Sequence, residues 1–386
     1  MKKTLCTLAV LGAFAGTSLA ADVTLYGIVD EGLLYSRIDQ DTDAGATDKL
    51  ELKSGIQGSS RFGFKGVEEI GNGLKVGFIL ENGFTADDGV LAGSKTSTLF
   101  DREASLYIEG GFGKLGLGKI GSINQGTSSW GKLAALSAFG TGFGDYVGQA
   151  GSSFAKGGVY NNMIAYQTPT FGGVQVFAQY SLGTSATGVE NTSSADRYYA
   201  LGTAYNSGPL ALYAAVDSTN YATWNSTDKK PATNADKIDD SLTVTLGGSY
   251  DFGVTKVHLG VQYFDEVKRS SVGSLKSVYV SADNDNDPLK GYAVSLSNKT
   301  PVLGGSLMVG VTYIDAETTE AAKEIFGAEY DVKRIGASAA YTYALSKRTS
   351  TYAMAGYWHD SYEFNATSKD IDPRSIAVAL GIRTTF

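Results

Sequence analysis

Ser375-Ile-Ala-Val-Ala-Leu-Gly-Ile-Arg-Thr-Thr-Phe386, the end of the chain, alternates in a way that decides the fold. Ile376, Val378, Leu380 and Ile382 fall on one phase, and small or polar residues fall on the other. Because successive side chains of a strand point to opposite faces, this is a strand with one apolar face. A terminal strand is an open edge unless another strand pairs with it, and an apolar open edge promotes aggregation. The pattern therefore predicts a strand that closes a barrel, with its apolar face toward lipid.

The composition favours strands and turns. The 386 residues include 49 glycines and 23 tyrosines but only 6 prolines, and 19% of residues are charged. Tyr suits strands and Gly suits tight turns, whereas a disordered chain of this kind would be rich in Pro. The formal net charge of -8 provides no basic face, so we expect no nucleic-acid partner.

Residues 1–20 have the form of a secretory signal peptide that is removed. Lys2 and Lys3 precede an apolar run, and Ser18-Leu19-Ala20 has the small residues of a cleavage site. Cys6, the only cysteine, lies in this segment, so the remaining chain is predicted to lack disulfides and cysteine metal sites. No later stretch offers the 18 or so consecutive apolar residues of a spanning helix. We expect no cofactor.

Alternation recurs along the remaining chain in sixteen segments, which predicts one β domain over residues 21–386. Seven connections are tight turns, such as Asn72-Gly73, and eight are longer, in regular alternation. Outer-membrane barrels separate short periplasmic turns from long external loops in this way. Lipid-exposed backbone must be fully hydrogen-bonded, which only helices and closed barrels achieve. The prediction is an all-β, 16-stranded antiparallel transmembrane barrel, wide enough to hold an aqueous channel.

Several motifs, in order along the chain, resemble a known family. They are DVTLYG (22–27), SRFGFKGVEE (60–69), GLKV (73–76), FGKLGLGK (112–119), YALSKRT (343–349) and GIRTTF (381–386). Together they resemble the Gram-negative general porins, in particular the β-proteobacterial branch, from Asp22 to Phe386. The resemblance implies an outer-membrane general diffusion porin for ions and small hydrophilic solutes.

The resemblance also implies partners and a constriction. It implies a homotrimer in outer-membrane lipid and lipopolysaccharide, and a terminal Phe386 that the barrel-assembly machinery reads. It implies that a long third loop, residues 121–158, folds inward and narrows the channel. Within this loop, Trp130 to Phe139 has the pattern of a short helix. The acidic motif of enterobacterial porins is absent, which leaves Asp145 as the best match for the acid of this loop.

Charged residues on the phase opposite the apolar one are predicted to face the channel. Selectivity depends on the field at the narrowest ring of a pore. The cations are Arg61, Lys65, Lys75, Lys256, Arg334 and Arg383, and the anions are Asp30, Glu81, Glu103 and Glu109. We expect a slightly positive interior and a weak preference for anions, with Arg383 too near the turn side to lie in the constriction. The alternative, for any one of them, is a wetted wall charge away from the narrowest ring.

Lys119 presents a conflict between two predictions. Strict alternation from Leu115 and Leu117 directs Lys119 to lipid, at a cost of about 2–4 kcal/mol at the midplane. The porin resemblance instead places a basic residue here in the constriction. A bulge at Gly118 would change the phase of the strand, and we predict that Lys119 faces the channel.

Three alternative functions remain open from the sequence. Asp283, Asp285 and Asp287 have the spacing of a Ca²⁺ loop, but Pro288 stands where glycine is required, so we expect no metal. A barrel phospholipase or protease needs a histidine beside a nucleophile or acid, and neither His258 nor His359 lies in such a motif. The long loops also permit a substrate-selective channel or an adhesin-like barrel. Joint binding of divalent cations by the acidic loops and lipopolysaccharide is a further hypothesis.

Overall fold

In the computed structural model of this chain, the described residues form nineteen strands, named β1 to β19 in chain order. The structure describes residues 23–43, 45–92, 98–126, 128–143, 153–185, 190–225, 230–231, 238–273, 275, 287–365 and 370–386. The predicted signal peptide, Asp145 and the acidic residues Asp283 and Asp285 lie outside these ranges. Among the described residues, no helix is both long enough and apolar enough to cross a membrane.

The strands have the following bounds: β1 (Thr24–Asp39), β2 (Ala46–Ser54), β3 (Arg61–Gly71), β4 (Leu74–Gly83), β5 (Glu103–Gly110), β6 (Gly113–Gly121), β7 (Val159–Gln167), β8 (Val174–Ser181), β9 (Arg197–Ser207), β10 (Leu210–Asn220), β11 (Trp224–Asn225), β12 (Lys230–Pro231), β13 (Leu242–Asp251), β14 (Lys256–Lys268), β15 (Pro288–Val302), β16 (Gly305–Thr318), β17 (Tyr330–Ala344), β18 (Thr349–Phe364) and β19 (Arg374–Thr385). One α-helix, α1 (Glu320–Phe326), lies between β16 and β17.

A single antiparallel sheet closes on itself through β1 and β19. This sheet contains 17 strands. The first residues of β1 pair with β3, and the later residues of β1 pair with β2. Strands β2 and β3 share one place, so the barrel has sixteen positions (17 minus 1), as the alternation predicts. On its other side β1 pairs with β19 from Ile28↔Thr385 to Asp39↔Arg374. The predicted closure of the terminal strand is confirmed.

The acidic stretch after β1 has the composition of a loop, but part of it is a strand. Residues 46–54 form β2, which extends the hairpin with β1 from Asp39↔Ala46 to Glu31↔Ser54. Leu50 and Leu52 are 71% and 55% exposed on the outer phase, between charged residues of the inner phase. The abundance of charge hides an ordinary alternation, which is why this segment resembles a loop in sequence.

Burial confirms which face of each strand is apolar and outward. In β19, Leu380 is 63% exposed and Ile382 is 49% exposed, whereas Ala377 and Ala379 are 2% exposed. Exposed aromatic residues gather near the two ends of the strands. We call the end of the barrel with the tight turns the turn end, and the end with the long connections the loop end. The exposed aromatic residues at the turn end include Phe112, Phe171, Tyr250, Phe252 and Tyr343. Those at the loop end include Tyr35, Tyr199, Tyr263 and Tyr292. Amphipathic rings at both edges are typical of a membrane-spanning barrel.

The described part of the third long connection, between β6 and β7, packs against the inside of the barrel wall. Its apolar side chains form two buried clusters with inward-facing wall residues: Ile123, Trp130, Leu133, Leu136 and Phe154 in one, and Phe139 and Phe143 in the other. Small wall residues make room for it, since a Cβ on Gly116 would lie 2.4 Å from Trp130 and one on Gly310 would lie 2.9 Å from Phe139. Of the predicted helix, Leu133–Leu136 forms a single 3-10 turn.

Candidate pore and constriction

Two polar contacts and an aromatic pair hold the third loop across the barrel interior. The backbone N–H of Ala138 donates to Ser297 Oγ at 2.9 Å, and the N–H of Ala155 donates to Gln262 Oε1 at 2.6 Å. The Phe143 ring packs edge-on against Tyr352, with centroids 5.6 Å apart. These anchors lie on β15, β14 and β18, so the described part of the loop is attached to several strands of the inner wall.

The loop leaves open a cavity of about 400 Å³ against the wall, where residues of β1, β3, β15, β16, β17 and β19 line it. Residues 138–143 of the loop line one side of this cavity. Four basic side chains line the other side: Arg61, Arg102, Lys299 and Arg383. None of the described residues that line it is acidic. We call this space the cationic cavity.

Glu81 lies behind two of these arginines and holds them in place. Its Oε1 accepts from Arg102 Nε at 2.7 Å, and its Oε2 lies 3.5 Å from Arg61 Nε. Tyr26 Oη donates to the same Oε2 at 3.0 Å. Glu81 is only 8% exposed, so its charge acts from within the wall. Four cations and this one anion leave a formal charge of +3 (4 minus 1) around the cavity.

Of the predicted constriction residues that the structure describes, Arg61 alone lies in the cationic cavity. Lys65, Lys75 and Lys256 are on the inner phase but nearer the turn end. Lys75 is the second residue after the 72–73 turn and pairs with Glu69 at 3.3 Å, and Lys256 follows the 252–255 turn. Lys65 Nζ lies 5.3 Å from the centre of the Tyr26 ring.

Arg334 faces inward but does not present a free charge to the channel. Its guanidinium forms two hydrogen bonds of 2.5 Å with the Asp360 carboxylate, and its Nη1 donates to the Gly273 carbonyl at 2.6 Å. Arg334 and Asp360 are 4% and 1% exposed. Such a buried, bidentate pair joins β17 to β18 and to the connection after β14, which is a structural role.

The predicted change of phase at Lys119 is not found in the strand register. Lys119 is paired with Ala104, and these residues lie two positions from the pair Leu106↔Leu117. Lys119 is therefore on the same phase as Leu117. A bulge is present beside Gly118, whose φ is 130°. Between the pairs Gly118↔Met163 and Ile120↔Tyr160, β6 advances by two residues and β7 by three. The extra residue is thus in β7, and β6 keeps its alternation. Lys119 Nζ donates to Asn161 Oδ1 at 3.1 Å.

Sequence reasoning did not name Arg102 and Lys299, two of the four cations in the cavity. Arg383 was expected to lie nearer the turn end than the constriction, and in the structure it lines the same cavity as Arg61. Arg102 precedes β5 at the end of a long connection, so alternation gives no signal for it. Lys299 falls on the inward phase of β15, opposite Leu296, and could have been found from that pattern.

The third loop adds a cation of its own, Lys132. Its Nζ lies 4.6 Å from the centre of the Phe177 ring. Burial, together with the nearby charge of Lys114, lowers the pKa of the Lys132 ammonium from its ordinary value. Lys114 in turn lies over the Tyr107 and Trp130 rings, at 3.9 and 4.8 Å from their centres. This pair extends the positive charge along the loop.

The other residues singled out in the sequence have ordinary structural contacts. Asp287 is paired with Arg269 at 2.9 Å, and both side chains are fully buried. His258 Nδ1 lies 3.1 Å from the Ala135 carbonyl of the third loop. His359 lies 3.6 Å from Asp372. No group of three or more metal-binding side chains occurs in the part of the chain that the structure describes.

A closed sixteen-position barrel with an apolar outer face and a polar, cation-lined opening defines a membrane channel. The model of the Gram-negative porin family matches residues 7–362, and the chain belongs to that family. An outer membrane porin of Bordetella pertussis is 31% identical over the full length of both chains. Outer membrane porin protein 32 of Delftia acidovorans is 31% identical, over 92% of this chain and 89% of its own.

A solved structure gives the same result. The anion-selective porin from Comamonas acidovorans superposes with a TM-score of 0.66 and 25% identity, over 95% of this chain and all of its own. The chain is therefore an outer-membrane diffusion porin, a channel for passive passage across the Gram-negative outer membrane. The relatives are named as porins rather than enzymes, which excludes the barrel-enzyme alternative.

Proposed function

We propose that this porin favours anions and that the cationic cavity is its narrowest part. The observation that carries the proposal is the meeting of four basic side chains opposite residues 138–143 of the third loop, with no acid among the described lining residues. A ring of like charges in a narrow, low-dielectric passage concentrates ions of the opposite sign. On this proposal, residues 121–158 form the constriction loop.

The predicted site residues take different roles in this proposal. Arg61, Arg102, Lys299 and Arg383 form the selective ring. Lys65, Lys75 and Lys256 attract anions at the periplasmic mouth, since they lie toward the tight turns. Asp145 remains a prediction for the acid of the loop. We leave Lys119 and Arg334 out, because one keeps the outer phase and the other is neutralised by Asp360.

A relative supports the choice of anions. The Comamonas acidovorans structure is described as an anion-selective porin and is 25% identical to this chain. The Delftia and Bordetella relatives are described only as outer membrane porins, so they support the channel but not its preference.

The remaining expectations concern assembly and partners. We propose that residues 1–20 direct export and are removed, and that three copies of the mature chain assemble in lipid and lipopolysaccharide. We also propose that Phe386, which is 46% exposed at the turn end, is read by the barrel-assembly machinery. Small hydrophilic solutes and ions pass through the finished channel.

A planar bilayer containing the purified protein tests the proposal. We expect large stepwise conductance, in triplets if the trimer is correct, and under a KCl gradient a reversal potential of the sign given by Cl⁻ permeation. A reversal potential of the K⁺ sign would overturn the anion preference while leaving the channel itself established.

A further inference from the structure

A second cavity lies inside the barrel at the loop end, separate from the cationic cavity. It has a volume of about 210 Å³ and lies between residues 155–157 of the third loop and the ends of β10, β13 and β14. No residue lines both cavities. Its charged and aromatic lining residues are Lys156, Tyr160, Asp196, Asp217, Tyr221 and Lys268. Because it lies at the loop end, a solute entering from that end meets it before the narrowest part.

Asp217 is a buried carboxylate that no cation neutralises. It is 8% exposed, and its single side-chain hydrogen bond comes from Asn124 Nδ2 of the third loop. Asn124 is fixed in turn, since Tyr213 Oη donates to its Oδ1 at 3.0 Å. Within the described ranges, no ion pair includes Asp217. A carboxylate removed from water is costly unless a cation or several donors compensate it, so this geometry leaves a place for a positive group.

Lys268 provides a positive group that lines the same cavity but is not paired with Asp217. Its Nζ lies 5.0 Å from the centre of the Tyr221 ring, and it forms no ion pair with another described residue. Tyr221 is held by a hydrogen bond from its Oη to the Glu266 carbonyl at 3.0 Å. Asp217 and Lys268 are thus an anion and a cation of the same cavity that are held apart by their own anchors.

We propose that this cavity binds a zwitterionic solute of amino-acid size, with its ammonium group on Asp217 and its carboxylate on Lys268. A volume of 210 Å³ equals about seven water molecules at about 30 Å³ each, which suits a molecule of about five to ten heavy atoms. The ring of Tyr160 also lines the cavity and adds an aromatic face that attracts an ammonium group. A purely anionic or purely cationic solute uses only one of the two charges.

Three probes of matched shape test the need for both charges. L-valine carries both groups, isobutylamine lacks the carboxylate, and 3-methylbutanoate lacks the ammonium. We expect titration calorimetry of the detergent-solubilised mature protein to show saturable binding of L-valine, with a Kd at least tenfold lower than for either single-charge probe. Absence of saturable L-valine binding, or equal binding of a single-charge probe, would overturn the proposal.

Two variants and two controls locate the site. Asp217→Asn removes the charge but keeps an oxygen for Asn124, and Lys268→Gln removes the opposite charge. We expect each to raise the Kd of L-valine about tenfold. Asp240→Asn, at an exposed carboxylate near the same strand ends, and Lys290→Gln, whose lysine pairs with Glu317, should leave that Kd unchanged.

All four variants are first compared with the native protein by heat-modifiable mobility on a gel, which reports a closed barrel. L-valine binding that is unaffected by Asp217→Asn and Lys268→Gln, in folded protein, would place the solute elsewhere and overturn the assignment. None of these outcomes changes the reversal potential predicted for the native channel, so the two proposals can fail separately.

Discussion

The N–H of Phe386 donates to the Gly27 carbonyl, and the N–H of Gly27 donates to the Phe386 carbonyl, both at 3.1 Å. The last residue of the chain is thus hydrogen-bonded to the first strand, and the pairing of β1 with β19 continues to the end of the sequence. Gly27 faces the Phe386 ring, and a Cβ on Gly27 would lie 2.3 Å from Phe386 Cζ. The closure of the barrel therefore depends on a glycine at this position.

Gly27→Val is expected to destabilise the barrel at its seam. An added side chain meets the Phe386 ring and also the Arg61 carbonyl, 2.6 Å from the Cβ, and overpacking of this kind costs about 1–3 kcal/mol. The measurement is the urea midpoint of unfolding in detergent. Gly111→Ala is the control, because a Cβ there has nothing within 4 Å. Equal midpoints for Gly27→Val and the native protein would show that the seam tolerates the side chain.

The barrel could be predicted from sequence because its determinants are local. Apolar alternation in β19 gives the lipid face, and the alternation of short and long connections gives the topology. β2 was missed because charged residues surround Leu50 and Leu52, and only pairing with β1 shows that they continue the outer face. Local pattern is thus sufficient for the fold except where charged residues surround the apolar phase of a strand.

The site could be predicted only in part, because it is formed by residues far apart in sequence. Arg61 and Arg383 belong to β3 and β19, on either side of β1. Their proximity depends on how far the strands are shifted along one another at the seam. Alternation shows that Arg334 faces inward, but its neutralisation by Asp360 follows from the register of β17 and β18. Phase can be read from sequence, whereas depth and charge partners cannot.

Loss of one cavity cation is expected to reduce the preference for anions. At about 5 Å in water, a unit charge contributes about 0.8 kcal/mol to the energy of a passing ion, a factor of about four. Arg383→Gln should therefore lower the anion-to-cation permeability ratio about two- to fourfold, as measured by the reversal potential in a KCl gradient.

The matched control for that variant is Lys75→Gln, at the turn end and paired with Glu69, which should change the ratio much less. A larger effect of Lys75→Gln than of Arg383→Gln would move the selective ring from the cationic cavity to the turn end.

Removal of the anion behind the ring is expected to act in the opposite direction. Glu81 partly neutralises Arg61 and Arg102, and Glu81→Gln keeps an oxygen for the Tyr26 hydroxyl. The permeability ratio should rise by a factor of about two to four under the same gradient. A fall in the ratio would mean that the two arginines leave the cavity once their carboxylate is lost.

Arg334 is expected to affect stability rather than selectivity. Arg334→Met leaves the buried Asp360 without a partner, and an uncompensated buried charge costs about 3–5 kcal/mol. The double variant Arg334→Met with Asp360→Leu removes both charges and should recover most of this loss in urea unfolding. The reversal potential of the folded double variant should equal that of the native channel. A large shift toward cations would restore Arg334 to the pore.

The tip of the third loop is expected to loosen when its aromatic anchor is removed. Phe143 is 1% exposed and packs edge-on against Phe139 and Tyr352, with centroids 6.3 and 5.6 Å away. Tyr352 Oη donates to the buried Asp30 at 2.6 Å, so the anchor is itself fixed to β1. An aromatic pair contributes about 0.5–1.5 kcal/mol beyond burial of its area, and Phe143→Ala removes two such pairs.

In Phe143→Ala we expect larger single-channel conductance and more open-channel noise. The control is Phe171→Ala, at a ring in a tight turn that is 67% exposed, and it should change neither the conductance nor the noise. An unaltered conductance in Phe143→Ala would show that the loop is held by its other contacts.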